Sequence, residues 1–357
     1  PLRAIFEPIT DGGLIVIPPI VYHGDGSVTL SLFGPDEELQ SAMDAIPEPV
    51  SVDVEAVGIN YHELRMLFGG TSWLDDDDLP YVAGADLAGV VSEVGGEVDA
   101  VSEGDRVVRY PIETCGTCRF CRDGPQNRCP ELSIVHGGFA ERAAVDPDRL
   151  VVLPDDVSFV QAAALPVAYL TAWFMARRAD VTAGDLVLVP GGTGGVGVAA
   201  IQLLDALGAT SIGTTTNASK LSKLEALGAD HVLQVRTPEE LRERVAAVGE
   251  PDAALNHLGG EYVQAGLSVL RQGGTMAVCG RTTGDRSEIH IRDLYLNHRS
   301  LVGSTVGTHP DLERLVGLVA SGEFDPVVDR EFPLEDVADA LERLDTREHL
   351  GKLVLRP

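Results

Sequence analysis

The residues best suited to chemistry are four cysteines in one short loop: Cys115, Cys118, Cys121 and Cys129. Their spacing is C-x2-C-x2-C-x7-C, among turn-forming glycines and prolines. Four thiolates on short spacers suit tetrahedral zinc, and a complete sulfur shell leaves no ligand position for a substrate. Disulfides or unrelated buried thiols are the alternatives, but disulfides are rare in cytoplasmic proteins and the clustering favours a metal. The spacing therefore predicts a structural zinc lobe at residues 115–129.

A second motif is the segment LVLVPGGTGGVG at residues 186–197. Gly192, Gly194 and Gly197 follow an apolar, β-branched run and precede a segment compatible with a helix. This G-x-G-x-x-G spacing allows a tight turn, a close approach to a pyrophosphate and close packing of helix on strand. The segment predicts a dinucleotide site. Its binding residues are Gly192, Thr193, Gly194, Gly195, Val196 and Gly197.

The elements that position these motifs follow from length and hydrophobic pattern. A chain of 357 residues with 44% hydrophobic content suggests two domains. Up to Leu153 the sequence reads as short β-branched runs, so this half is predicted to be mostly β. Beyond Val157, apolar strands alternate with longer helical segments, which predicts an α/β fold with a parallel sheet.

Charge and composition exclude several classes of partner. Acidic residues outnumber basic ones by 55 to 27, giving a net charge of −28, which argues against nucleic acid. The acid excess and the presence of only three lysines resemble proteins of salt-loving organisms. The apolar run Leu14 to Val21 is short and broken by two prolines. We therefore predict a cytoplasmic protein with no membrane span and a small-molecule substrate.

The segment after the second predicted strand of the α/β half bears on the choice of cofactor. An NAD enzyme places an acidic residue on the ribose about 20 residues after the glycines. Thr215 occupies that place, and Asn217 and Lys220 follow it. Small hydroxyl groups and a lysine suit a 2′-phosphate, although a surface position on a helix is the alternative for Lys220. The sequence favours NADP(H), with NAD(H) as a possible second cofactor.

Many segments resemble the medium-chain dehydrogenase/reductase family, which includes zinc-binding alcohol dehydrogenases and quinone or enoyl reductases. The matching segments are GINYHEL (58–64), GADLAGVVSEVG (84–95), GDRV (104–107), the cysteine loop, GGFAE (137–141), AAALPVAYLTAW (162–173), the glycine turn and GKLVLRP (351–357). The resemblance implies a GroES-like catalytic domain, residues 1–155 and 308–357, and a Rossmann domain, residues 156–307. It also implies a homodimer or homotetramer joined through the apolar strand at residues 301–306.

In zinc-dependent members a second, catalytic zinc has ligands at positions that here are Asn60, Ala85 and Val167, none of which is a good zinc ligand. The resemblance therefore favours the branches that lack catalytic zinc. A displaced site using His62 and Asp86, with a third ligand such as His136, is the alternative. Without a metal, hydrogen-bond donors must stabilise the oxyanion or enolate. The catalytic candidates are Asn60, Tyr61 and His62.

The resemblance also places residues around the cofactor. Those implied near the nicotinamide are Thr171, Cys279, Gly280, Ser304 and Val306. Asn256 and His257 are implied near the ribose. Cys279 has no basic neighbour in sequence, so we interpret it as a packing residue rather than a nucleophile.

Together these features predict an NADPH-dependent oxidoreductase that transfers hydride to a small carbonyl, quinone or enone, with one structural zinc. The first alternative is an alcohol dehydrogenase with a displaced catalytic zinc. The second is a non-catalytic protein that binds NADPH, because a fold does not fix a function.

Overall fold

The structure is a computed structural model that describes residues 15–22, 28–33, 50–68, 81–96 and 98–357. Within the first 49 residues it describes two antiparallel strands, β1 (Ile15–Tyr22) and β2 (Val28–Phe33). The remaining residues of that segment, which the predicted catalytic domain includes, lie outside the description.

The first half of the chain consists of short strands with few helices, as predicted. Its elements after residue 49 are β3 (Val50–Ile59), α1 (Tyr61–Phe68), β4 (Asp86–Glu93), β5 (Arg106–Arg109), β6 (Ile112–Glu113), α2 (Arg119–Asp123), β7 (Ser133–Ile134), β8 (Arg142–Val145) and β9 (Leu150–Val152). In β3, Val50, Val52 and Val54 are buried and alternate with half-exposed residues. Because successive side chains of a strand point to opposite faces, this alternation buries one face of the strand.

One long helical segment connects the two halves. It consists of α3 (Phe159–Ala164), a wider π-helical turn (Leu165–Tyr169) and α4 (Leu170–Arg178). Pro166 lacks a backbone N–H, which accounts for the irregular turn. The segment is 20 residues long and apolar enough to cross a membrane, but 78% of its apolar window is buried inside the protein. It is therefore the core helix of the fold.

From residue 186 strands alternate with helices. The elements are β10 (Leu186–Val189), α5 (Gly195–Leu207), β11 (Thr210–Thr215), α6 (Leu221–Ala226), β12 (His231–Gln234), α7 (Pro238–Ala246), β13 (Ala253–Asn256), α8 (Glu261–Val269), β14 (Thr275–Val278), α9 (Ile291–Leu296) and β15 (Ser300–Gly303). The strands form a parallel sheet in the order β12-β11-β10-β13-β14-β15. This confirms the predicted parallel sheet, although the sequence analysis did not identify β12 and α7.

The order of these strands reverses beside β10. The chain first proceeds outward through β11 and β12 and then returns to place β13 on the other side of β10. Ligands of such sheets bind outside the carboxyl ends of the strands at this switch point. The predicted glycine turn follows the carboxyl end of β10 and therefore lies at this position.

The end of the chain returns to the first sheet. Its elements are α10 (His309–Ala320), β16 (Val328–Pro333), α11 (Val337–Asp345) and β17 (Lys352–Arg356). The seven-stranded sheet has the order β16-β17-β3-β4-β5-β9, with β8 also paired to β3. Strand β17 runs antiparallel to β3, pairing Leu353 with Ile59. The return of the chain agrees with the expected architecture, while the exact domain boundaries remain a prediction.

A continuous apolar core joins the two sheets. It contains Ala56 and Val354 of the seven-stranded sheet, Val187 and Val189 of the parallel sheet, and Leu165 of the connecting helix. The hydroxyl of Tyr110 donates a hydrogen bond to the carbonyl of Gly307 (2.8 Å), linking residues far apart in sequence. The two halves therefore pack against each other and leave a cleft between them.

Candidate active site and zinc loop

The four cysteines of the predicted zinc lobe lie together, and all five cysteines of the chain are free thiols. The Sγ atoms of Cys115 and Cys129 are 3.5 Å apart, and so are those of Cys118 and Cys121. The Sγ atoms of Cys115 and Cys121 are 3.9 Å apart. Four sulfurs at about 2.3 Å from a zinc ion lie about 3.8 Å from one another. The donor set and its spacing therefore fit a tetrahedral zinc.

The glycine turn has the predicted strand–turn–helix form. Gly194 is the N-cap residue of α5, whose first turn offers backbone N–H groups that lack helical partners. A Cβ atom at position 197 would lie 2.3 Å from the carbonyl oxygen of Gly191, so only glycine permits this packing. The carbonyl of Thr193 accepts a hydrogen bond from the backbone N–H of Gly351 (3.1 Å). The turn is thereby attached to the start of β17.

A cavity of about 460 Å³ extends from this turn into the cleft. Ten of the residues predicted from the sequence line it: Asn60, Tyr61, Thr193, Gly194, Gly195, Val196, Thr215, Asn217, Lys220 and His257. The described residues in its wall also include Arg236, Arg347 and Lys352, and none of them is Asp or Glu. In a chain with 55 acidic residues this wall is therefore unusually basic.

The wall around Thr215 contains the region predicted to hold a 2′-phosphate. Thr215 is buried at the end of β11, and its hydroxyl oxygen accepts a hydrogen bond from the backbone N–H of Asn217. Lys220 is also buried, so the alternative of a surface residue is wrong. Its ammonium donates to the carbonyls of Arg347 (2.7 Å) and His349 (2.6 Å). Lys220 therefore holds the segment that carries Arg347 against the cavity.

Sequence reasoning did not identify two of these cations. Arg236 follows β12 and Arg347 follows α11, and both residues line the cavity. Arg347 has a positive φ of 55° and its guanidinium lies 6.0 Å from the centre of the Tyr61 ring. No local motif marks either residue, because more than 100 residues separate them in sequence.

At the opposite end of the cavity a buried lysine meets a buried carboxylate. The Lys352 ammonium donates to Asp86 Oδ2 (2.8 Å), Asn60 Oδ1 (2.6 Å) and the carbonyl of Ile59 (2.8 Å). The amide nitrogen of Asn60 in turn donates to Asp86 Oδ2 (2.9 Å). Burial raises the pKa of Asp86, and the Lys352 charge opposes that rise. These bonds fix the orientation of the Asn60 amide.

The side chains in this network show whether a zinc ion would fit the catalytic position implied by the resemblance. Ala85 offers no side-chain donor atom, and Val167 offers none either. Asn60 and Asp86 are engaged by the Lys352 ammonium, which already supplies a positive charge there. The residues present therefore do not fit a zinc ion at that position.

Among the ligands named for the alternative, a displaced zinc site, Asp86 does not lie in the group that contains His62 and His136. Asp86 is engaged by Lys352, but Glu63, one residue after His62, lies beside both histidines. His62 Nε2 is 3.9 Å from Glu63 Oε1, and the ring centres of His62 and His136 are 5.4 Å apart. Burial lowers the pKa of His62 to about 4 and that of His136 to about 3, so both rings are neutral at pH 7.

The remaining predicted cofactor residues lie outside the wall of the 460 Å³ cavity. Thr171 is buried in α4, and the side chain of Asn256 accepts hydrogen bonds from the backbone N–H groups of Leu258 and Gly259. Burial raises the pKa of Cys279 to about 11, so its thiol stays protonated, which supports a packing role. Ser304 follows β15, and its backbone N–H donates to the carbonyl of Val278.

The backbone is constrained at two residues that are predicted to lie near the nicotinamide. Val306 has a positive φ of 43°, which a β-branched residue rarely adopts. Gly280 also has a positive φ, and a Cβ there would lie 2.7 Å from the carbonyl oxygen of His257. Gly280 shares a second cavity, of about 520 Å³, with Tyr61 and His62. The fold therefore brings the 60–62 and 278–280 segments to one place.

Comparison with known proteins supports this architecture. A family model for the alcohol dehydrogenase GroES-like domain matches residues 47–155, and one for zinc-binding dehydrogenases matches residues 195–321. A third model, of an N-terminal domain, matches residues 1–59.

Individual relatives are similar over most of their length. An alcohol dehydrogenase of Geobacillus stearothermophilus is 30% identical, covering 86% of this chain and 91% of its own. An acryloyl-coenzyme A reductase of Sulfurisphaera tokodaii is 27% identical, covering 88% of this chain and 96% of its own. The solved structure of a cobalt- and zinc-bound thermostable alcohol dehydrogenase from Pyrobaculum aerophilum is 30% identical, with a TM-score of 0.78 and coverage of 96% and 99%.

The two halves seen in the structure correspond to the two matched domains, a GroES-like domain and a nucleotide-binding domain with a parallel sheet. The chain is therefore an NAD(P)-dependent oxidoreductase and belongs to the zinc-binding medium-chain dehydrogenase family.

Proposed function

We propose that the protein is an NADPH-dependent reductase that transfers hydride to a small carbonyl, quinone or enone. The main observation in favour of NADPH over NADH is the basic wall of the 460 Å³ cavity, which has no Asp or Glu among its described residues. An NAD site needs an acidic side chain at the end of the second strand to bind the ribose hydroxyls. Thr215 stands there instead, with Lys220, Arg236 and Arg347 around it.

The residues of the turn fit the dinucleotide. The first turn of α5 offers backbone N–H groups to the pyrophosphate, and Gly194 and Gly195 leave its approach free of side chains. Arg236 and Arg347 would form charge-assisted hydrogen bonds with the 2′-phosphate. Bound NADPH supplies the hydride.

Stabilisation of the developing oxyanion would come from donors at the nicotinamide end. The Tyr61 hydroxyl is a donor in this wall, and it adjoins the Asn60 amide, which donates to Asp86 and also interacts with the side chain of Glu63. Lys352 and Asp86 hold the amide in one orientation, so little reorganisation is needed when charge develops. The buried, neutral imidazole of His62 adjoins this segment.

The substrate range follows from the pocket and from the relatives. The second cavity, beside Tyr61 and His62, has room for a small molecule. Among the similar proteins are alcohol dehydrogenases and an acryloyl-coenzyme A reductase, an enzyme named for an activated alkene. The similarity to these enzymes favours a carbonyl or an enone as the substrate. In this proposal the zinc of the 115–129 lobe is structural.

The cofactor proposal can be tested by reversing one charge. We expect Arg236→Glu to raise KM for NADPH at least tenfold, the effect of about 1.4 kcal/mol, because the glutamate repels the 2′-phosphate. KM for NADH should change less than twofold. Rates would be measured with a panel of quinones, enals, ketones and aldehydes in high salt.

Arg242→Glu is the matched control, since Arg242 lies on α7 outside the cavity wall. Equal changes in KM for both cofactors would refute the 2′-phosphate site. The proposed reductase activity would be refuted if the protein oxidised alcohols with NAD⁺ and reduced none of the compounds with NADPH.

A further inference from the structure

Three side chains of types that can bind a metal lie together beside the second cavity, of about 520 Å³, which we call the substrate cavity in line with the proposed function. They lie outside the cysteine loop and do not include the residues at the catalytic zinc position implied by the resemblance. One ligand atom from each of His62, Glu63 and His136 lies within 4.8 Å of the other two. His62 and Glu63 are consecutive residues in the first turn of α1, and His136 comes from the segment that precedes the GGFAE motif. The group is therefore assembled by tertiary structure.

Two ring nitrogens in this group have no hydrogen-bond partner among the described residues. They are His62 Nε2 and His136 Nδ1, and both atoms are inaccessible to solvent. A buried polar atom without a partner costs about 1–3 kcal/mol, so native proteins rarely keep one without a reason. Two such nitrogens in one group with a buried carboxylate have a simple explanation, which is a cation bound within the group.

The third ligand is held in place by the backbone. Glu63 Oε2 accepts the backbone N–H of Asn60 (2.7 Å), and Glu63 Oε1 accepts that of Ala85 (2.8 Å). Each carboxylate oxygen has a further lone pair for a metal ion. The side chain of Glu63 is completely buried, which fixes the carboxylate beside the two rings.

The histidine from the distant segment is also held rigidly. The buried guanidinium of Arg109 donates to the carbonyl of His136 (3.0 Å) and to that of Val135 (3.2 Å). The same guanidinium binds the carbonyls of Gly84 (2.9 Å) and Ala85 (3.0 Å). Arg109 therefore joins the backbone of the His136 segment to that of Ala85, whose N–H binds the Glu63 carboxylate.

We propose that His62, Glu63 and His136 bind a divalent metal ion, zinc by preference, at the wall of the substrate cavity. Two imidazoles and one carboxylate form the ligand set of catalytic zinc sites, which keep a fourth position open for water or substrate. Imidazole ligands disfavour magnesium and calcium, which bind oxygen. The site does not depend on the proposed reaction, and only its use in catalysis would rest on that reaction.

Metal content of the purified full-length protein tests the proposal. After growth with zinc and dialysis against zinc-free buffer, we expect mass spectrometry to find two zinc ions per chain. His62→Ala and His136→Ala should each retain one. His231→Ala is the matched control, because this exposed histidine of β12 lies far from the group, and it should retain two.

Cobalt substitution identifies which ion is lost without reference to activity. Cobalt in the four-cysteine site gives intense sulfur-to-metal absorption in the near ultraviolet and strong visible bands of its own. Cobalt bound to nitrogen and oxygen adds only weak visible bands, which are obtained by subtracting the variant spectrum from the wild-type spectrum. His62→Ala should lose the weak bands and keep the sulfur absorption, with an unchanged far-ultraviolet circular dichroism spectrum. Should the variant misfold, a cobalt titration of wild-type protein must still show both classes of band.

A wild-type protein that binds one metal ion per chain, with sulfur absorption alone, would overturn the proposal. So would two ions that both survive the His62 and His136 substitutions. Either result would leave the NADPH reductase proposal intact, since that proposal is tested by KM for the two cofactors.

Discussion

At the scale of single residues, the most consequential side chain is Lys352. Its ammonium is buried and bonded to Asp86, Asn60 and a backbone carbonyl, beside the residues at which the family resemblance implies a catalytic zinc in zinc-dependent members. Removing one partner of a buried ion pair leaves the other charge uncompensated, which costs more than the pair itself contributes. The pair therefore matters to folding as well as to the orientation of Asn60.

We expect Lys352→Met to lower the free energy of unfolding by about 3–5 kcal/mol, because Asp86 loses its counter-charge. The double variant with Asp86→Asn should recover part of that loss. Urea unfolding followed by circular dichroism measures both. Lys223→Met, at an exposed lysine, is the control and should change stability by less than about 0.5 kcal/mol. A double variant no more stable than the single one would contradict the interpretation.

At the scale of elements, the zinc lobe cannot support itself. It contains the five-residue helix α2 and is flanked by the two-residue strands β6 and β7, all too short to be stable alone. The Asn127 side chain donates to the carbonyl of Thr305 (2.9 Å), which precedes Val306, a residue predicted to lie near the nicotinamide. A metal bound in the lobe would therefore stabilise the contact between the loop and the segment that contains Thr305.

We expect Cys118→Ser to bind one zinc ion fewer per chain and to become sensitive to limited proteolysis within residues 115–129. Without a complete sulfur shell, the loop loses the ion that holds its turns together. Mass spectrometry of the fragments locates the cleavage. Cys279→Ser, at the cysteine outside the lobe, should keep its metal content and its resistance. Equal protease sensitivity in the two variants would rule out a structural metal.

At the scale of the whole molecule, one edge of the parallel sheet is exposed and apolar. Strand β15 is paired only to β14 in the part of the chain that the structure describes. Leu301 on this strand is 40% exposed, and Ile291, Tyr295 and Leu296 of the neighbouring α9 are more exposed still. A patch of this kind beside an open strand edge is a pairing surface, so we propose that two copies associate here.

We expect Leu301→Lys combined with Tyr295→Glu to convert the dimer into a monomer in sedimentation experiments at micromolar concentration. Each charge would be buried without a partner in the interface. Lowering the salt should weaken the wild-type dimer, since each chain carries a net charge of −28. Val152→Lys, at an exposed apolar residue elsewhere, should leave the dimer intact. A wild-type monomer would contradict the proposed interface.

The sequence by itself determined the features that depend on neighbouring residues. The cysteine loop and the glycine turn each lie within 15 residues, so spacing and backbone sterics were enough to predict their form. The alternation of strands and helices likewise predicted the parallel sheet, because hydrophobic periodicity is a local property. Strand β12 was not identified, since its four residues give a weak pattern, and the nine-residue helix α7 that follows it was not identified either.

Only the tertiary structure decided which distant side chains meet. The Lys352–Asp86 pair spans 266 residues, and Lys220 reaches a carbonyl 127 residues away. Glu63 replaced Asp86 in the histidine group because the Lys352 ammonium engages Asp86 and the backbone holds Glu63 beside His136. Such contacts are set by how the returning strand β17 and the two halves pack, and local propensity carries no information about that packing.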